Sequence, residues 1–214
     1  MTEGYFIPAS TGTAEYREKR SRFLGRIQCV QSEQEAKAAL AAVRREHRDA
    51  RHTCWCWRIH SGLEKYSDDG EPQGTAGLPM LTRLQRRGVE NVLCTVTRYF
   101  GGILLGTGGL LRAYTQAAGQ ALDAAGLAEM QPVRILQLRI PYGALARVRE
   151  AAASCGAVEK KAEYAQEVFL DLEVPEMRAE KLLQRLTDLL GMNAFLLRQE
   201  TGQAPIPKEP PGSF

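Results

Sequence analysis

Along the first 126 residues, apolar residues recur either every three to four positions or every second position. The changes from one spacing to the other predict where helices and strands begin and end. From Ser32 to about Arg48 the apolar positions lie three or four residues apart, which predicts a helix, with Ser32 as N-cap and Glu35 three residues on. Between residues 52 and 60 the pattern alternates, as in a strand. Further elements are predicted in order: a strand or two over 16–30, a short strand at 63–66, a helix at 78–87, a buried strand at 92–97 and an alanine-rich helix at 110–125 closed by Gly126.

A second unit is predicted from residue 128. Its pattern gives strands at 133–140, 157–164, 167–174 and 193–200, and helices at 142–154 and 175–190. The order β-α-β-β-α-β is that of a ferredoxin-like fold. The proline-containing segment 203–214 is predicted to be a disordered tail. We therefore expect an α+β chain with domains at 1–127 and 128–202.

Composition places the chain in a broad class. Hydrophobic residues make up 44% and charged residues 25% of the 214 positions, as in ordinary soluble globular proteins. We see neither a bilayer-length apolar run nor a secretory leader, so we expect a cytoplasmic protein without membrane contact. The five cysteines are odd in number and scattered, which favours reduced thiols. A net charge of +3 does not by itself indicate nucleic-acid binding.

Two glycine-rich segments are the most informative feature of the chain. The first is SDDGEPQGTAG at 67–77, and the second is RYFGGILLGTGGL at 98–110. Such glycine density marks backbone that bends sharply or approaches something closely. The first segment is acidic and the second contains Arg98, so we expect the two to meet as one polar surface.

The acidic loop has two interpretations. Asp68, Asp69 and Glu71 could bind Mg²⁺ or Ca²⁺ through carboxylate oxygens, although their spacing does not match an EF-hand. Alternatively, Asp68-Asp69-Gly70 forms a turn that is structural or binds a partner.

The second segment also has two interpretations. It lies where a strand leads into a helix, and exposed N–H groups at a helix start favour anions, with Arg98 and Arg112 as counter-charges and Tyr99 or Phe100 as stacking rings. The segment lacks the lysine of a phosphate-binding P-loop. In the structural alternative, its glycines let it pack under the acidic loop, with Arg98 paired to one of the three carboxylates.

Other candidate chemistry is weaker. His52, Cys54 and Cys56 would share one face of a strand, but a second pair of zinc ligands is missing. Trp55 and Trp57 take the opposite face, and the sequence does not show which face is buried. We can assemble no nucleophile with a positioned base. A set of basic residues has two interpretations, a phosphate-contacting face or ordinary solvated surface: Arg17, Lys19, Arg20, Arg22, Arg44, Arg45, Arg48 and Arg51.

These segments carry a family resemblance. SDDGEPQGTAG, TRYFGGILLGTGGLLRAY, the early KRSRFLG and the downstream ARHTCWCW resemble the IMPACT family, including its YigZ-type bacterial members, over most of residues 17–126. The resemblance implies a first domain like domain 2 of ribosomal protein S5 and a ferredoxin-like second domain. It also implies a role in translation: eukaryotic relatives bind a translational regulator, and nucleic-acid or ribosome-associated roles are proposed for bacterial ones.

We therefore expect a cytoplasmic translation-associated regulatory protein that recognises RNA, the ribosome or a protein partner through its glycine-rich surface. The alternatives are a metal-assisted hydrolase that uses the acidic loop and a purely protein-binding module. No catalytic residue, metal or cofactor is assigned. The expected binding residues are Asp68, Asp69, Gly70, Glu71, Gly74, Thr75, Arg98, Tyr99, Phe100, Gly101, Gly102, Gly106, Thr107, Gly108, Gly109 and Arg112.

Overall fold

The chain forms two compact units of mixed α and β structure. A computed structural model describes residues 5–191 and 196–207. One unit runs from Tyr5 to Glu129 and the other from Met130 to Ala204, with residues 205–207 grouped with the first. The division thus falls two residues after the predicted one. The predicted two-domain α+β class is confirmed. In the described residues, no helix combines the length and apolar character needed to cross a bilayer.

The first unit is built on a five-stranded antiparallel sheet. Its strands have the spatial order β2-β3-β6-β4-β5, while β1 lies off this sheet. The bounds of its elements in chain order are β1 Tyr5–Pro8, β2 Gly12–Glu18, β3 Ser21–Cys29, α1 Glu33–Glu46, β4 His52–Ile59, β5 Leu63–Ser67, α2 Gly77–Arg86, β6 Val92–Tyr99 and α3 Gly106–Ala125. Each predicted element is present, and α3 begins four residues before its predicted start.

Both faces of this sheet are covered by helices. Trp57 and Leu93 pack with residues of α1, including Leu40, on one face. Cys54 and Cys56 pack with residues of α2 and α3 on the other. Both faces of β4 are therefore buried, and not one as predicted from the sequence, because Trp57 is 2% exposed and both cysteines are fully enclosed.

Glycines let α3 lie directly on β2 and β3. A Cβ on Gly25 would come within 2.4 Å of the Ala117 carbonyl oxygen, and one on Gly12 within 2.2 Å of the Ala121 carbonyl oxygen. The alanine-rich face of the helix completes the close approach. The first turn of α1 is capped as predicted, since the Ser32 hydroxyl accepts the Glu35 N–H at 3.2 Å.

The second unit has the predicted order of elements. Its sheet order is β10-β7-β9-β8, so β9 lies between two strands joined through a helix, the split β-α-β arrangement. Its elements are β7 Leu127–Ile140, α4 Leu145–Ser154, β8 Val158–Tyr164, β9 Val168–Pro175, α5 Glu176–Leu190 and β10 Leu196–Pro207, with a short 3₁₀ turn at Tyr142–Ala144.

The end of the described chain differs from the predicted tail. Strand β10 continues to Pro207 and includes residues 203–207, which the sequence placed in a disordered segment. Pairing of β10 with β7 supplies backbone partners that the sequence does not reveal. The remaining tail, 208–214, and residues 192–195 at the predicted start of this strand lie outside the described residues.

Candidate functional site

The two glycine-rich segments meet through a buried ion pair. Arg98, near the end of β6, donates from Nη1 to Glu71 Oε1 at 2.7 Å, and the Tyr114 hydroxyl of α3 donates to the same oxygen at 2.8 Å. The side chains of Arg98 and Glu71 are only 8% and 4% exposed. The guanidinium carbon of Arg98 lies 5.5 Å from the centre of the Phe23 ring and 5.3 Å from that of Phe100. The predicted pairing of Arg98 with a loop carboxylate is confirmed.

This burial changes the expected roles of several residues. Glu71 and Arg98 are enclosed, as is Thr75, whose hydroxyl donates to the Pro72 carbonyl at 2.6 Å. Glu71 and Arg98 hold the two segments together, Thr75 makes a bond within the first segment, and none of the three lies open to a partner. The structural interpretation therefore accounts for this part of the predicted surface.

Asp68 acts as the cap of α2. Its carboxylate accepts the N–H groups of Gly74 at 2.9 Å, Ala76 at 2.9 Å and Gly77 at 2.8 Å. Ala76, the residue at the helix N-cap, has no side-chain oxygen, so the loop carboxylate replaces it. Gly70 and Gly74 have φ of +86° and +77°, which allows the loop to fold back on the helix start.

Asp69 fastens the loop to β4. One carboxylate oxygen accepts the Thr53 N–H at 2.8 Å and the other accepts Arg44 at 2.6 Å. Its carbonyl oxygen accepts a bond from His52 Nδ1 at 2.8 Å. Asp69 itself has φ of +45°, a conformation that aspartate tolerates better than most residues.

The acidic loop therefore offers no converging set of metal ligands. Asp68, Asp69 and Glu71 each face a different group of donors. Across the described residues, no three His, Cys, Asp or Glu side chains are grouped so as to hold a metal ion.

The cysteines of β4 belong to the core. Cys54 Sγ donates to the Asp68 carbonyl at 3.0 Å, and burial raises the pKa of its thiol. Burial also raises the pKa of Cys56, with the neighbouring Cys94 adding to the effect. His52 shares their face of the strand, as predicted, but its ring is bonded to the loop backbone.

The two aromatic residues at the end of β6 differ in exposure, because Tyr99 is partly buried and Phe100 is exposed. The Tyr99 hydroxyl donates to an Asp49 oxygen at 3.0 Å and lies 3.1 Å from His47 Nδ1, so its ring is fixed beside α1. Phe100 is 48% exposed and lies under the Arg98 guanidinium. Of the two predicted stacking rings, Phe100 is the accessible one.

A tight turn between β2 and β3 lies against the second glycine-rich segment. Glu18 pairs with Ser21, which leaves a two-residue turn of Lys19 and Arg20 with φ of +44° and +67°. Positive φ at both positions is typical of a type I′ turn. A Cβ on Gly101 would lie 2.0 Å from the Arg20 carbonyl carbon, so glycine is needed for this contact. The Gly101 N–H donates to the fully buried Ser21 hydroxyl at 3.2 Å.

The loop after Gly101 and the start of α3 are open to solvent. Ile103 is 41% and Leu104 83% exposed. Gly106, Thr107 and Gly108 are exposed in the first turn of α3, whereas Gly109 is buried. In the described structure no side chain caps this helix start, and its first turn carries no acidic residue. Its N–H groups therefore remain available to an anion.

Arg112 lies beside this helix start. It is exposed, and one of its guanidinium nitrogens is 3.8 Å from where a Cβ on Gly108 would lie. The pKa of Tyr16 in β2 is raised mainly by its hydrogen bond to Glu18, and the positive charge of Arg112 opposes that rise. Arg112 is therefore within electrostatic reach of the β2–β3 hairpin.

We call the accessible part of this region the hairpin–loop surface. It consists of Lys19, Arg20, Phe100, Gly102, Ile103, Leu104, Gly106, Thr107, Gly108 and Arg112. The sequence identified its glycines, Phe100 and Arg112, and placed Lys19 and Arg20 only in a general basic set. A local signal for this turn was missed. Reading the segment 12–29 as two antiparallel strands separated by two residues would have placed the turn at Lys19 and Arg20. The packing of Gly101 against this turn could not be predicted, because it joins segments that are about 80 residues apart in the chain.

Comparisons with known proteins agree with this architecture. Residues 19–122 match the Impact N-terminal domain and residues 138–191 match a domain of unknown function, DUF1949. The chain is 35% identical to the IMPACT family member YigZ of Escherichia coli over 202 residues, which covers 92% of this chain and 99% of that protein. It is 33% identical to the IMPACT family member YvyE of Bacillus subtilis, with 88% of each chain covered.

A solved structure described as a hypothetical protein gives a TM-score of 0.60 at 34% identity, and the match covers 92% of this chain and 98% of that one. A shorter match, 36% identical over 95 residues, is to the Protein IMPACT homolog of Dictyostelium discoideum, of which it covers 27%. From the near full-length likeness to bacterial relatives and the two domain matches, the chain belongs to the IMPACT family.

Proposed function

We propose that this chain is a cytoplasmic, translation-associated regulatory protein that binds RNA on the ribosome through the hairpin–loop surface. The observation that carries the proposal is the seating of the Lys19–Arg20 turn on Gly101. This contact joins a cationic hairpin tip to the glycine-rich loop and fixes both in one exposed surface. The translational setting comes from the family resemblance.

The residue types in the turn favour a binding role. Type I′ turns are best served by Asn-Gly, because most other residues are strained at positive φ. Here the two positions hold Lys19 and Arg20, which are exposed and have no ion-pair partner among residues 5–191 and 196–207. Lys19 and Arg20 are therefore unfavourable for the conformation of the turn itself. Their positive charges at its exposed tip are better explained by binding to an anionic partner.

The start of α3 supplies a second phosphate contact. Its N–H groups are free of a side-chain cap, and Arg112 adds a positive charge one turn further along. A nucleic-acid backbone fits both features, and the exposed Phe100 ring can stack on a base. The segment lacks a P-loop lysine, and each carboxylate of the acidic loop already accepts hydrogen bonds from backbone N–H groups or from the side chains of arginines and Tyr114. These features favour recognition over hydrolysis.

A purely protein-binding role is the second candidate, and the exposure of Ile103 and Leu104 favours it. The two candidates differ in their response to salt. Phosphate contacts weaken steeply as salt rises, whereas contacts of leucine and isoleucine do not.

The test is the double variant Lys19→Asn with Arg20→Gly, which removes both charges and installs the preferred turn sequence. We expect its melting temperature to equal or exceed that of the wild type. Its affinity for a labelled single-stranded ribosomal RNA fragment, measured by fluorescence anisotropy, should fall at least tenfold. The slope of log affinity against log salt should become shallower by about 1.4, since each single-strand phosphate contact contributes about 0.7.

The matched control is Arg147→Gln with Lys181→Gln, which removes two exposed positive charges from the second unit. It should bind RNA and co-sediment with ribosomes like the wild type. The proposal is wrong if the wild type binds neither RNA nor ribosomes, or if the turn variant binds as well as the control. Salt-independent ribosome binding by both variants would favour the protein-binding alternative.

A further inference from the structure

A groove runs between α2 and α3 and is independent of the hairpin–loop surface. Its volume is about 540 Å³. Leu78 and Leu111, one on each helix, line it and are each 43% exposed. The other lining residues are Gly74, Pro79, Thr82, Arg83, Arg86, Arg87 and Thr115.

The charge of this groove is strongly one-sided. Helix α2 contains no acidic residue. Three arginines of its last turn and C-cap line the groove: Arg83, Arg86 and Arg87. Arg87 approaches Asp123 at 3.5 Å. In the part of the chain that the structure describes, neither Arg83 nor Arg86 has a carboxylate within ion-pair distance.

Arg83 is the most informative of the three. Its Nε is buried and has no hydrogen-bond partner, while the residue itself is partly buried. Burying one guanidinium N–H without a hydrogen-bond partner is unfavourable. No carboxylate among the described residues balances the charge of Arg83, so an anionic group of a partner would be stabilised beside it.

Gly119 of α3 makes the position of Arg83 possible. A Cβ on Gly119 would lie 2.3 Å from Arg83 Nη2 and 2.4 Å from Cζ. Ala117, Ala118 and Ala121 lie close to it in the helix, and alanine favours helix more than glycine does. The one interior glycine in this stretch thus lies where the guanidinium crosses the helix.

We propose that this groove docks an acidic amphipathic helix of a partner protein. Apolar side chains of that helix would pack on Leu78 and Leu111, and its carboxylates would pair with Arg83 and Arg86. The ten residues of α2 span about 15 Å, enough to accompany two to three turns of a docked helix. The apolar residues on both walls favour a peptide over a nucleic-acid backbone, which offers phosphates but no apolar side chains.

The experiment begins with a random 16-residue peptide display library selected on the intact chain. Enriched peptides should carry at least two Asp or Glu residues three or four positions from Leu, Ile or Phe. The tightest peptide is then labelled and titrated by fluorescence anisotropy. We expect affinity to fall at least tenfold in Arg83→Gln and about fivefold in Gly119→Ala.

Gly119→Ala separates docking from folding. The added methyl displaces only the flexible end of Arg83, and alanine suits the helix, so its melting temperature should be at least that of the wild type. Arg45→Gln, which removes an exposed arginine of α1, is the charge-matched control and should bind normally. The Lys19→Asn, Arg20→Gly variant should also bind normally, which keeps this test apart from that of RNA binding.

The proposal is overturned by any of three results. One is that no peptide is enriched, or that enriched peptides are neutral or basic. The second is equal binding by wild type, Arg83→Gln and Gly119→Ala. The third is that a 20-nucleotide RNA binds more tightly than the selected peptides and loses that affinity in Arg83→Gln, which would make nucleic acid the occupant.

Discussion

Replacing Glu71 by glutamine tests whether the buried ion pair holds the two glycine-rich segments together. Glutamine keeps the size of the side chain, and its carbonyl oxygen can still accept the Tyr114 hydroxyl. The lost component is the negative charge opposite Arg98, whose side chain is 8% exposed. The variant therefore leaves one buried cation without its counter-ion.

The cost follows from that burial. Removing one partner of a buried pair destabilises proteins by about 3–5 kcal/mol. The rings of Phe23 and Phe100 still face the Arg98 guanidinium and retain about 0.5–2 kcal/mol of cation–π attraction. We therefore expect a loss near the lower end, about 3 kcal/mol, which is about a hundredfold in the unfolding equilibrium.

The assay is urea denaturation followed by tryptophan fluorescence. The chain has two tryptophans, Trp55 and Trp57, and both lie on β4, so the signal reports the first unit. The comparison variants are Arg98→Met and the double variant, which complete a double-mutant cycle. Glu33→Gln is the control, because it breaks solvent-exposed pairs with lysines and should destabilise the unit far less than Glu71→Gln does.

Two results would refute the reasoning. A loss below about 1 kcal/mol in Glu71→Gln would show that Arg98 reaches water or is satisfied by the rings alone. Additive effects in the cycle would show that the two side chains are not energetically coupled.

Three further predictions concern packing, pH and thiol reactivity. Gly25→Ala should destabilise the first unit by about 1–3 kcal/mol in the same assay, because its methyl would meet the Ala117 carbonyl at 2.4 Å; unchanged stability would contradict the close packing. Hydrogen bonds from Arg22, and then Arg17, lower the pKa of Glu15 from 4.5 to about 2. The ionised Glu15 carboxylate therefore stabilises the fold above pH 4.5, and this contribution is lost as the pH falls towards 2. The difference in unfolding free energy between wild type and Glu15→Gln should be constant above about pH 5 and shrink below it. A difference independent of pH would contradict the prediction. A thiol reagent should label Cys29 in the native protein and the other four cysteines only on unfolding, as counted by mass spectrometry; rapid native labelling of a second thiol would disprove their burial.

The order of helices and strands could be predicted because it depends on residues that are close together in the sequence. The Ser32 cap, the alternation along β4 and the glycine after α3 each depend on residues a few positions apart. The start of α3 was placed too late, because the three glycines between positions 106 and 109 disfavour helix by propensity, whereas burial of the helix begins only at Gly109 and Leu110. The ordered end of β10 depends on a partner strand distant in sequence.

The candidate site shows the same limit. The sequence brought the two glycine-rich segments together and named Arg98 pairing as one alternative. It could not show that Glu71 and Arg98 are enclosed, because burial is decided by Tyr114 and Phe23 from other elements. The turn at Lys19 and the unpaired guanidinium of Arg83 are likewise visible only when distant backbone is in place.

The cap that Asp68 places on α2 has a consequence for the electrostatic field of the first unit. Without this cap, α2 and α3 would both begin with an uncompensated partial positive charge. The Asp68 carboxylate neutralises the partial positive charge at the start of α2, while no side chain neutralises the one at the start of α3 in the described structure. If RNA binds the hairpin–loop surface as proposed, its phosphates would meet the positive end of α3 and not that of α2, so Asp68 would favour one approach without contacting the RNA.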